Sequence, residues 1–288
     1  MRTTKTLASL AGAALTLALA ACGGDDEGDS DVQAASDLSG VPGDLADSGS
    51  IKIGVKYDQP GIGNLEPGSD VPEGFDIEVG TYIAERLGLA EDDVEWVETI
   101  SDNREKFIQN GTVDLVIASY SITEERLAIV GQAGPYYVTG QQLLVRDADK
   151  ETITGPDDLK NIKVCSVEGS TSLTRVEEEY GAKPVPFGTY SECVTQLENE
   201  TVDAVTTDGA ILLGYAAQKP DELAVVGPVF SEERYGIGYE KDAEGMCEFL
   251  KDSIEAMVED GAWEEAFNNT LGESGVEAPE EPTPDPCP

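Results

Sequence analysis

Between Ile51 and Leu271 the apolar positions follow two alternating periods. Ile51-Lys52-Ile53-Gly54-Val55 reads as a short strand. Residues 75–87 (FDIEVGTYIAERL) carry Ile77, Val79, Tyr82, Ile83 and Leu87 at helical spacing before Gly88 ends the run. Residues 94–97 form a second strand, 103–110 a helix that stops at Gly111, and 113–117 a buried strand. Strands and helices alternating at this rhythm predict an α/β fold built on parallel sheet, with chain enough for two modest lobes or one large domain.

The rhythm recurs further on. Strands are predicted at 163–166, 183–187 and 202–206, with helices at 172–180 and 191–199. NGTVDLV from Asn110 and NETVDAV from Asn199 nearly match. Each follows a helix and precedes a polar loop, so each reads as the same βα unit, used once per lobe. Two similar lobes imply a cleft between them. Such sheets bind ligands at the loops leaving the carboxyl ends of their parallel strands. Here those loops are 119–126 and 206–208, which sets the cation Arg126 and the anion Asp208 on opposing lobes.

The chain begins differently. Arg2 and Lys5 precede an uncharged apolar run from Leu7 to Ala21 and then Cys22, the pattern of a signal peptide over 1–21. The run is too short and Ala-rich for a spanning helix, and a cysteine after two small residues resembles the lipobox whose thiol is acylated. Residues 23–50 are rich in Gly, Asp and Ser and read as a flexible linker, with a reach on the order of 30 Å. Residues 272–288 form a Pro- and Glu-rich tail, expected to be irregular.

With 18 basic and 58 acidic residues the net charge is -40, which disfavours nucleic acid and anionic membrane surfaces as partners. There is no histidine, so Ser-His-Asp and Cys-His nucleophile systems and His-based zinc sites are excluded. If Cys22 carries lipid, Cys165, Cys193, Cys247 and Cys287 remain for two disulfides, with three connectivities open. Cys165 with Cys193 is favoured because both fall in one lobe, which leaves Cys247 to staple the tail through Cys287.

Three separated segments, GFDIEVGTYIAERLG from Gly74, NGTVDLVIASYSITEERLAIVGQAGPYYVTGQQLLV from Asn110 and TVDAVTTDGAILLGY from Thr201, together resemble the family 3 extracellular solute-binding proteins of polar amino acid transporters. Within that family the resemblance leans toward the glutamate-binding lipoproteins of actinobacteria. It implies a two-lobed periplasmic-binding-protein (type II) fold with the chain crossing twice, lobe 1 being 51–140 plus 232–271 and lobe 2 being 141–231. Hinges are expected near Gly140-Gln141 and Phe230–Glu233.

The resemblance also implies roles. Arg126, assisted by Ser121, would take the planar α-carboxylate of an amino acid, for which a guanidinium is suited. Asp208 and Ser119 would take the α-ammonium, and Ser170 and Thr171 would touch the carboxylate from the second lobe. Asp58 lies near a first-strand loop that commonly lines the pocket. Ser101 and Arg104 match the pair that binds a distal carboxylate, and Arg104, Arg126 and Asp208 together carry +1, which suits a glutamate or aspartate of charge -1.

The expected protein is therefore not an enzyme and uses no cofactor or metal. It would be a monomer on the extracellular face of the cell membrane, held only by the lipid on Cys22, passing glutamate or aspartate to an ABC permease and its ATPase. The alternatives are a glutamine- or asparagine-binding protein of the same kind, a ligand-presenting sensor subunit, and a cyclohexadienyl-dehydratase-like enzyme using acids around Glu168.

Overall fold

A computed structural model describes residues 38–288, so the signal segment, Cys22 and the start of the linker lie outside the described residues. The chain first forms α1 (Gly40–Ser48), β1 (Ile51–Val55), the short pair β2 (Asp58–Gln59) and β3 (Gly63–Asn64), α2 (Phe75–Arg86), β4 (Val94–Glu98), α3 (Arg104–Gln109), β5 (Leu115–Val116), α4 (Glu124–Leu127) and the long β6 (Gly131–Thr139). There follow β7 (Gln141–Arg146), β8 (Lys163–Val167), α5 (Thr171–Glu178), β9 (Lys183–Phe187), α6 (Tyr190–Glu198), β10 (Ala204–Asp208), α7 (Gly209–Gln218) and β11 (Leu223–Val226). The chain then adds β12 (Glu233–Tyr239), α8 (Met246–Glu259) and α9 (Ala262–Asn269).

The strands make two five-stranded sheets, in the orders β4-β1-β5-β12-β6 and β11-β7-β10-β8-β9, which are the centres of the two lobes. Neither is purely parallel. β1 runs parallel to β4 and β5, and β8 parallel to β9 and β10, but β12 is antiparallel to β5 and β6, and β7 to β10 and β11. The parallel sheets expected from the rhythm are thus corrected to mixed sheets. The antiparallel strands are those that enter and leave the two crossovers, β6 to β7 and β11 to β12, and they carry no βα rhythm to announce them. At the crossovers the two chains bond to each other, with Phe230 N–H donating to the Gln141 carbonyl at 3.0 Å and Gln141 N–H to Ser231 Oγ at 2.9 Å.

The first lobe's sheet is centred on β1, where Ile51, Ile53 and Val55 are wholly buried beneath α2 residues including Ile77 and Ile83. Each such side chain contributes roughly 1.5–3 kcal/mol by leaving water. That stabilisation fixes the end of β1 and the loops beside it.

The two near-repeats play one structural role twice. Asp114 accepts from the Lys52 N–H at 2.8 Å and Asp203 from the Lys163 N–H at 3.0 Å, so each repeat's aspartate clamps the start of the neighbouring parallel strand. The backbone answers in kind, Asp114 N–H to the Lys52 carbonyl and Asp203 N–H to the Lys163 carbonyl. The preceding turn is left-handed in both, at Gly111 (φ 68°) and Glu200 (φ 56°). Beyond them, β5 and β10 deliver residues 117–121 and 206–208 to the cleft.

Disulfides join Cys165 to Cys193, tying β8 to α6, and Cys247 to Cys287, tying α8 to the tail. The tail is irregular, yet Asp285 donates its N–H to the Gly134 carbonyl and accepts from Arg234, while Pro282 and Pro284 are buried. The linker differs from its expectation. Residues 40–48 form α1, which packs on α8 through buried Pro42, with Val41 N–H bonded to the Glu244 carbonyl.

Candidate functional site

Between the lobes lies a small, tightly closed cavity lined by Arg104, Ser119, Ser121, Arg126, Ser170, Thr171, Ser172, Tyr190, Thr207, Asp208 and Ile211. Seven of the predicted residues meet here: Arg104, Arg126, Asp208, Ser119, Ser121, Ser170 and Thr171. Ser101 stands behind Arg104, and its hydroxyl accepts from the Arg104 guanidinium.

Arg126 is placed by α4, a single turn capped by Thr123, whose hydroxyl accepts the Arg126 N–H at 3.2 Å. Its Nη1 donates to the Ser121 carbonyl at 2.7 Å, and its Nη2 reaches across the cleft to the Gly169 carbonyl at 3.1 Å. Burial and the nearby Arg104 pull its pKa down from the usual guanidinium value. Arg104 and Arg126 each lie 4.8 Å from the centre of the Tyr120 ring, whose electron-rich face attracts both cations. Tyr120 in turn donates to Glu105 at 2.7 Å, and Glu105 lies 3.5 Å from Arg126 Nε.

Asp208 ends β10 at the N-cap position of α7 but makes no capping bond with its side chain. One carboxylate oxygen, Oδ2, accepts from the Tyr235 hydroxyl at 2.5 Å, and the other, Oδ1, is buried with no partner. Burial, reinforced by repulsion from Glu233, pushes its pKa up to about 7. Glu233 itself is held by Thr171 Oγ1 at 3.0 Å and Arg175 at 3.3 Å, which fastens the first turn of α5 to the base of β12. Ser170 caps α5, accepting from the Leu173 N–H at 3.1 Å, so three serine and threonine residues at a helix N-terminus face the cavity.

Asp58 is not among the lining residues. Its carboxylate accepts the Tyr190 N–H at 2.6 Å and the Ser191 N–H at 3.4 Å, and its carbonyl accepts from the Tyr215 hydroxyl. Its oxygens satisfy orphan N–H groups at the start of α6, in the facing lobe, so it stands at the edge of the cleft and not on the cavity wall.

Four groups went unassigned in the sequence. Asp76, wholly buried at the start of α2, accepts from Tyr136 and from the Ser119 N–H, both at 2.7 Å, and burial raises its pKa to about 6. That bond holds Ser119 in a left-handed conformation (φ 44°) at the cavity wall. Lys56 is buried with Nζ 3.0 Å from Ser101 Oγ, and Glu105 and Glu233 complete the set. The +1 count from Arg104, Arg126 and Asp208 therefore left out charges that the fold brings alongside.

Two α/β lobes crossed twice by the chain, with a polar cavity holding guanidinium groups on one wall and a carboxylate on the other, define a binding protein whose cleft captures a small zwitterion. The chain belongs to the bacterial extracellular solute-binding proteins, family 3, whose profile matches residues 51–273. It is 40% identical over 264 residues to the glutamate-binding protein GluB of Corynebacterium glutamicum, covering 87% of this chain and 88% of that one. It is 33% identical over 262 residues to the ABC transporter glutamine-binding protein GlnH of Bacillus subtilis, covering 90% and 94%. Among solved structures it superposes on an ancestral arginine-binding protein bound to glutamine (TM-score 0.72, 33% identity, 78% and 98% covered). It also superposes on the solute receptor for L-cysteine of Neisseria gonorrhoeae (TM-score 0.77, 26% identity, 84% and 98% covered). These relatives are named for binding, and the chain is a solute-binding protein, not an enzyme. Among the described residues no helix is long and apolar enough to cross a membrane.

Proposed function

We propose that this protein captures L-glutamate, with L-aspartate as the related ligand, for an ABC importer of amino acids. One observation carries the choice of an acidic ligand. Arg104 is 97% buried (3% exposed), its Nε has no acceptor, and among the described residues no carboxylate lies within ion-pair distance of it. A buried guanidinium without a counter-ion is costly, and a second carboxylate on the ligand would supply one. A 40% identical relative named for glutamate supports this assignment, whereas the relative named for glutamine is less similar.

In this arrangement Arg126 takes the α-carboxylate, with the Ser170–Ser172 helix start as its second set of donors. The free Oδ1 of Asp208 takes the α-ammonium, and the ligand then stabilises the closed form by touching both lobes at once. Closure turns on Gly140-Gln141 and Phe230–Glu233, and a lipid on Cys22 would keep the protein beside its permease.

Calorimetric titration of the wild type and Arg104→Gln with L-glutamate and L-glutamine tests the proposal. The substitution is expected to weaken glutamate at least ~10-fold while leaving glutamine little changed. Arg126→Ala, by contrast, removes binding of both. Equal weakening of the two ligands by Arg104→Gln, or none, would overturn the acidic assignment.

A further inference from the structure

Behind the wall that Arg104 presents to the cavity, two cationic side chains converge on one neutral hydroxyl. Ser101 Oγ accepts from Arg104 Nη2 and also from Lys56 Nζ, the latter at 3.0 Å. Lys56 follows β1, is 2% exposed, and has no other hydrogen-bond partner among the described residues. An ammonium carries three donors, so a charged Lys56 leaves two N–H groups without acceptors in a site that water does not reach. A neutral amine fits the same place better, because it offers fewer donors and suffers no repulsion from Arg104.

The charged and titratable groups around Lys56 come from four elements: Arg104 on α3, Asp58 on β2, Arg126 on α4 and Asp76 on α2. The two arginines oppose its charge and the two aspartates favour it. Asp58 is committed to the α6 N–H groups, and Asp76 is bonded to Tyr136 and Ser119. Burial first and Arg104 second bring the Lys56 pKa down to about 7.

We propose that Lys56 is a positioning residue that takes up a proton when an acidic ligand binds, so that its side chain carries more positive charge in the liganded site than in the empty one. The inference rests on the glutamate reading above, since only a ligand carrying a second carboxylate cancels the field of Arg104, which adds to burial in holding the Lys56 pKa down. Lys56 does not line the cavity, and it acts through Ser101 and Arg104. Its charge adds to the attraction for a carboxylate without placing a flexible ammonium against the ligand, where it could equally accept a neutral amide.

Asp208 works in the opposite direction. With a pKa of about 7 it is partly protonated in the empty site and gives up that proton when an α-ammonium arrives. Every amino acid ligand triggers this release, so the difference between glutamate and glutamine isolates Lys56.

The experiment is calorimetric titration of the full chain at pH 8.0 in buffers of different ionisation enthalpy, which yields the number of protons exchanged per ligand. L-Glutamate is expected to bring an uptake of about 0.4 of a proton relative to L-glutamine, the amount that results at this pH when a group near pKa 7 is raised to about 8. Lys56→Arg stays charged throughout, and Lys56→Met never charges, so both are expected to abolish the difference. Glutamate binding with no excess uptake in the wild type overturns the proposal, as does uptake that persists in either variant. Absence of any glutamate binding would instead remove the ligand reading, and the proposal with it. Lys56→Arg retains a cation that can bond Ser101, so it keeps the test decisive if Lys56→Met folds poorly.

Discussion

Tyr235, on β12 of one lobe, donates its hydroxyl to Oδ2 of Asp208, on β10 of the other, at 2.5 Å, while Oδ1 of the same carboxylate has no partner. One oxygen thus spans the lobes and the other is left for a ligand. Such a group destabilises the empty protein. Because its folded pKa is raised to about 7, the penalty is absent below the unfolded value near 4, grows as the pH rises, and is complete above about 7.

Asp208→Asn is therefore expected to raise the thermal midpoint of the ligand-free protein while removing amino acid binding. The gain is on the order of a few kcal/mol, or roughly 5–10 °C for a chain of this size. Scanning calorimetry should show no difference from wild type near pH 4 and a constant difference above pH 7. A gain that did not vary with pH would mean that ionisation of Asp208 is not its source.

Gly169 meets the other lobe closely. It has φ 76°, and a Cβ there would lie 3.0 Å from the Asp102 Cα and 3.2 Å from the Ser101 carbonyl carbon. Its own carbonyl accepts from Arg126. Gly169→Ala is expected to hold the lobes apart, weakening every amino acid ligand by about tenfold or more, from a strain of 1–3 kcal/mol. Small-angle scattering of the variant with saturating ligand should give a larger radius of gyration than liganded wild type, and an unchanged radius would refute the wedge.

Asp58 supports α6 from across the cleft, so Asp58→Ala removes a cap rather than a ligand contact. The expected cost is ~1 kcal/mol, shared between stability and closure. Titration should show glutamate and glutamine weakened by the same small factor. A change in their ratio would return Asp58 to the ligand's surroundings.

Much of this site could be read from the sequence because its residues sit in short motifs beside strand ends. The twin TVD segments marked where β5 and β10 begin, and the polar residues beyond those strands set Arg126 and Asp208 on facing walls. Lys56 and Asp76 escaped for a physical reason. Along β1 the alternation that exposes Lys52 assigns Lys56 to the same outward side, but the 3-10 turn at Ser101–Asn103 covers the strand's end and buries it. An acid at the first turn of a helix, as Asp76 is, ordinarily complements the helix dipole in water. Only the packing of α2 against residues 118–120 and Tyr136 reveals that it is enclosed. Asp58 was expected beside the pocket because it follows the first strand, and the turn after β1 carries its side chain to the N–H groups at the start of α6.

The fastening of both ends of the described chain has a mechanical consequence. α1 lies against α8, and the tail is bound to α8 by Cys287 and to β12 by Asp285, so both lie on the lobe of the first sheet. Any pull exerted through the residues preceding α1 is therefore borne by that lobe. Among the described residues the other lobe is joined to it covalently only at the two crossovers, and otherwise by the hydrogen bonds that cross the cleft. In the proposed closing motion the second lobe would be the jaw and the first lobe its mount, so that the free energy for the swing would come from the ligand held in the cleft.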